Sequence, residues 1–66
     1  MTHRTLQFFS YQNTSPRLQE TSKRFHELAV WIAETLPANI ERDVALRRLL
    51  ESRDASVRAV IYKEPT

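Results

Sequence analysis

Not one glycine occurs among the 66 residues of this chain, and that absence narrows the accessible folds more than any other feature. The two-residue turns that join β-strands rely on positive φ, which glycine supplies at least cost, so a hairpin-built β fold has lost its usual joints. Gly-rich phosphate loops, including the P-loop and the dinucleotide fingerprint, are excluded with them. Punctuation is left to proline, at positions 16, 37 and 65, and to helix-capping side chains.

Read that way, the chain divides into an arm, residues 1–14, a helical domain, residues 15–62, and a tail, residues 63–66. Ser15 followed by Pro16 predicts a helix start, with a side chain able to accept from the first turn and a proline whose fixed φ suits the first helical position. From there Leu18, Phe25, Leu28, Ala29, Ile32 and Leu36 recur at three-, four- and seven-residue steps, which is one face of a helix. Pro37 ends it by disfavouring helical geometry in the residue before. Asn39 then caps a second helix, with Glu41 and Asp43 in its first turn, where the helix dipole favours negative charge. Leu46, Leu49, Leu50, Val57, Val60 and Ile61 make its apolar stripe, which reaches to about Tyr62 before Pro65 closes the pattern. Two helices, each roughly 30 Å long, on so short a connection must lie antiparallel. The expected fold class is all-α: an antiparallel two-helix hairpin with an N-terminal arm.

A lone chain of this size buries only about 60% of the surface it exposes when unfolded. With no cysteine there is no disulfide and no thiolate zinc site, and His3 and His26 are too few and too far apart to suggest a metal set. Oligomerisation is the remaining supplement. On a helical wheel Val30 and Trp31 fall away from the stripe of the first helix, on different sides of it. Single exposed apolar residues are common, but a Trp is costly to leave in water, so Val30 and Trp31 are the expected oligomer interface. The expected assembly is a homo-oligomeric helical bundle, a dimer or a higher multiple such as a hexamer. No apolar run approaches the roughly 18 residues of a membrane span, and the N-terminus lacks a basic segment followed by an apolar stretch. A cytoplasmic protein with no membrane partner is expected. A net charge of +2 is too slight to argue for duplex DNA.

The inventory for catalysis is poor. Ser10, Ser15, Ser22, Ser52 and Ser56 lack any Gly-rich oxyanion context, and His26 reads as a helix-surface residue between Lys23 and Glu27. The expectation is no enzyme, no metal and no cofactor. The arginines say more. Arg42 and Arg53 fall inside the apolar stripe of the second helix, where either their stems cover apolar surface or a planar, permanently charged group meets an anion. Arg47 borders that seam on the side of Asp54 and either joins the site or pairs there. In the arm, one of Phe8 and Phe9 is expected to plug the open end of the hairpin. If the arm is extended, Phe9 and Tyr11 share a side, as base stacking requires, and Gln12 can both donate and accept toward a base edge. The candidate ligand-binding set is therefore Phe9, Tyr11, Gln12, Arg42, Arg47 and Arg53.

The run from Leu36 to Glu51 carries Pro37, then Glu41, then Ala45, Leu46 and Leu49 in a pattern of proline, glutamate and Ala-Leu-x-x-Leu. Ser52 to Ala59 continues it, and Phe9-Ser10-Tyr11 gives a Phe-x-Tyr before the first helix. Over most of residues 9–62 this resembles the anti-CBASS cyclic-nucleotide sponges of phages, a hairpin domain shared with sponges that act against Thoeris immunity. The chain departs from that group at Gln12, where a histidine is common, and over Ala55 to Ala59. The resemblance implies a compact cytoplasmic homo-oligomer that binds cyclic di- or trinucleotides and so starves a host immune effector, with Tyr11 as its base-stacking residue. Two other readings stand beside it. One is a small helical regulator docking a host protein through Trp31 and the arm. The other is a DNA-binding helical dimer using Arg47, Arg48 and Arg58, against which Glu51 and Asp54 interrupt the basic face.

Overall fold

A computed structural model of the chain describes residues 4–9 and 15–62. They form a 3-10 helix, Arg4–Phe9, and two α-helices, α1 at Pro16–Thr35 and α2 at Ile40–Ile61, packed against each other. No strand occurs among the described residues. The helix boundaries expected from proline and asparagine are thus observed, within the residue or two by which helix ends are defined.

The start of α1 differs in mechanism from expectation. Pro16 occupies the first turn, but the Ser15 side chain makes no capping bond. It is the Ser15 carbonyl that accepts, from the backbone N–H groups of Leu18 at 3.0 Å and Gln19 at 2.9 Å. At the start of α2, Asn39 acts as expected: its side-chain oxygen accepts from the Arg42 backbone N–H at 2.9 Å, satisfying one of the orphan donors of the first turn.

Where α1 ends, proline creates a debt that a side chain settles. The carbonyl of Ala33 would be bonded by the N–H four residues on, but that residue is Pro37, which has none. Arg42 Nη1 donates to Ala33 O at 2.9 Å and to Leu36 O at 3.3 Å, so the first turn of α2 is pinned to the last turn of α1. At the other end Arg17 Nη2 donates to Val60 O at 2.9 Å, joining the first turn of α1 to the last turn of α2.

The core is thin. Leu6, Phe9, Ala29 and Leu46 are its buried apolar members, with Phe25, Val30, Ile32, Ala33, Leu49 and Leu50 half-buried around them. Along α1 the buried positions are Ser22 and Ala29, seven residues apart and both small, which lets the neighbouring elements approach closely. Not every stripe residue joins it. Leu28, Leu36 and Ile61 are exposed, because two helices and a short 3-10 helix cover only part of a wide apolar stripe.

The arm is the largest correction. Residues 4–9 are not extended but wind into a 3-10 helix that carries Leu6 and Phe9, three apart, into the groove between α1 and α2. With three residues per turn, positions i and i+3 eclipse on one side, so this element buries a pair that alternation would have split. Phe9 is the plug and is fully buried, whereas Phe8 is exposed.

Candidate functional site

Residues Ser22, Arg53, Asp54, Val57 and Arg58 line an open groove of about 330 Å³ between α1 and α2. Arg53 is its organising side chain. The guanidinium carbon stands 5.9 Å from the centre of the Phe9 ring, within the range of cation–π attraction. Its Nε donates to Asp54 Oδ1 at 2.9 Å. The Arg53 side chain is only 16% exposed and that of Asp54 47%, so the cation is held from beneath by an aromatic face and from one side by a carboxylate. Ser22, 2% exposed, adds a buried hydroxyl to the wall, and Arg58 is exposed at the rim in the last turn of α2.

Elsewhere on the surface Arg24 pairs with Glu20 at 2.7 Å and Arg48 with Glu51 at 3.2 Å. Exposed pairs of this kind contribute little to stability. Arg47 is exposed and has no ion pair among the described residues, since Asp54 pairs with Arg53 instead. Among the described residues no cluster of histidines and carboxylates is placed to hold a metal ion, and no helix is long and apolar enough to cross a membrane.

The residues singled out in the sequence separate spatially. Arg42 and Arg53 share a face of α2, but eleven residues on a helix set them about 16 Å apart along its axis. Arg42 lines a smaller pocket of about 210 Å³ at the α1–α2 connection with Leu36, Pro37, Asn39, Glu41 and Ala45. Its Nε is buried without a hydrogen-bond partner among the described residues, and its Nη1 is engaged by the α1 carbonyls. The chain therefore does not gather Arg42 and Arg53 into a single site. Phe9 lies in the core and offers no free face on which a base could stack. Tyr11 and Gln12 lie outside the described residues. Trp31 is 54% exposed, on the side of α1 away from the core, while Val30 is half-buried against the core.

Ser22, Asp54, Val57 and Arg58 enter the groove without having been chosen from the sequence as its members. Ser22 was legible in principle: it lies three residues before Phe25 and seven before Ala29, on the buried side of α1, where a hydroxyl is out of place unless it serves something. No family model matches this chain, and no curated protein or solved structure matches it.

Proposed function

We propose that the protein is a non-enzymatic phage sponge, a cytoplasmic helical protein that binds and sequesters host cyclic oligonucleotide second messengers and so blocks CBASS-type immune signalling. The observation that carries this reading is Arg53, a guanidinium desolvated over the Phe9 ring and opening on a groove large enough for part of a nucleotide. A cation so placed is suited to charge-assisted bonds with phosphate oxygens, and Arg58 at the rim adds a second. Tyr11, two residues after Phe9 in the sequence, is the residue assigned to stack a base. Gln12 follows it as a donor and acceptor for a base edge.

In this reading the hairpin is antiparallel, as the Arg17–Val60 and Arg42–Ala33 bonds at its two ends favour. It assembles as a homo-oligomer through the Trp31 side of α1. A twofold axis then presents two symmetry-related grooves to a cyclic ligand with two phosphates and two bases.

The test is thermal denaturation of the purified chain against cyclic di- and trinucleotides and ADP-ribose derivatives. A ligand that binds only the folded state raises its melting temperature by mass action. Stabilisation by at least one cyclic oligonucleotide is expected; no shift with any of them overturns the proposal. A helical regulator that docks a protein is the second reading, favoured by the exposure of Phe8, Trp31 and Ile40.

A further inference from the structure

Resting on the assembly through Trp31 proposed above, we propose that the exposed strip of α1 around Trp31 docks on the exposed strip of α2 around Val44 and Arg47 of a second copy, and not on its own counterpart. Trp31 is 54% and Leu28 46% exposed. Glu27 lies four residues before Trp31 and Glu34 three after it, so both carboxylates neighbour the indole on the helix surface. Both are exposed, and neither forms an ion pair among the described residues. Arg24 is held by Glu20, and Lys23, a turn before Glu27, makes no ion pair with it.

The α2 strip is complementary. Ile40 and Val44 are exposed, and the exposed Arg47 and Arg48 follow Val44 by three and four residues, on its side of the helix. Arg48 meets the exposed Glu51, and Glu41 lies in the first turn, where the helix dipole offsets its charge. Symmetry chooses between the arrangements. A twofold contact of α1 with itself uses one patch on both copies. Centred on Trp31, it sets carboxylates beside carboxylates whichever way the helices run, at a cost in repulsion. The alternative also fits in height. In the antiparallel register that the Arg17–Val60 and Arg42–Ala33 bonds favour, Trp31 stands level with about Ala45 and Glu27 with about Leu49. A twofold axis running along the helices keeps each residue at its level, so the Trp31 strip of one copy meets the Val44–Arg47 strip of the other. The partner's Val44 then covers the indole, the partner's Arg47 reaches its face, and Glu27 and Glu34 face opposite charge. The symmetry makes this contact twice.

The experiment measures the mass of the full chain by light scattering at micromolar concentration and low ionic strength, where surface charges are least screened, with circular dichroism reporting folding. One variant carries Glu27→Lys with Glu34→Lys, the other Arg47→Glu with Arg48→Glu. Each alone sets like charges across the contact and should raise the dissociation constant at least about tenfold. An equimolar mixture restores opposite charges and should return to the wild-type mass. Glu27→Gln with Glu34→Gln separates the arrangements even where a charge reversal unfolds its variant: it loosens the α1–α2 contact, whereas it would tighten an α1–α1 contact by relieving repulsion. Tighter assembly of that variant, or a mixture of folded reversals that stays dissociated, overturns the pairing while leaving assembly through Trp31 standing. A wild-type chain that stays monomeric removes the assembly and the inference with it.

Discussion

Arg42 and Arg53 sit on the same face of α2, yet their surroundings give them opposite roles. Arg42 replaces the N–H that Pro37 lacks, donating from Nη1 to the carbonyls of Ala33 and Leu36. Without it a half-buried carbonyl loses its partner, so Arg42→Ala should cost about 1 to 3 kcal/mol. In a domain this small that lowers the melting temperature by roughly 4 to 8 °C per kcal/mol, which calorimetry or circular dichroism would register; a melting temperature equal to wild type would exclude the bracing role. Arg58, exposed at the groove rim and outside any ion pair among the described residues, predicts the reverse pattern. Arg58→Ala should leave the melting temperature where it is and weaken cyclic dinucleotide binding about three- to tenfold. The two variants therefore separate stability from binding on one helix.

At the scale of elements, the helices were legible because proline and asparagine act locally. Pro16, Pro37 and Asn39 fix where helices begin and stop whatever the rest of the chain does. Capping gives a direct check of that claim. Asn39→Ala removes the side-chain acceptor for the Arg42 N–H and should cost about 1 kcal/mol. Ser15→Ala removes no bond, because the Ser15 side chain makes none, and should be close to neutral; equal losses in the two variants would contradict the assignment. The 3-10 helix was not legible, because six residues hold too few turns for a period to emerge and its burial is decided by the groove it fills. The same reason hid the fate of Phe9, which alternation placed beside Tyr11 and tertiary packing placed in the core. The groove was half legible: Arg53 stood out as a cation in an apolar stripe, whereas its pairing with Asp54 rather than a more distant charge depends on side-chain geometry that no spacing rule specifies.

The whole molecule is a thin body, with principal extents of 46 × 23 × 14 Å, little more than one helix thick in its shortest direction. A single layer of two helices has a back, and Trp31 and Leu28 lie exposed on α1, with Ile40 and Val44 on α2. Light scattering at micromolar concentration should therefore show at least a dimer, and a folded monomer would contradict that. Trp31→Ala should weaken assembly by about 2 kcal/mol or more, as central interface aromatics do, and leave the protomer folded. Val30→Ala should act mainly on folding, since that side chain packs against the core. The most direct test of the central claim is calorimetric titration of the intact assembly with the cyclic oligonucleotide that most raises its melting temperature, followed by denaturation and mass analysis of the released ligand. A sponge predicts saturable binding at a fixed ratio of ligand to subunit, with the ligand recovered chemically unchanged. No binding heat, or recovery of a cleaved ligand, would contradict it.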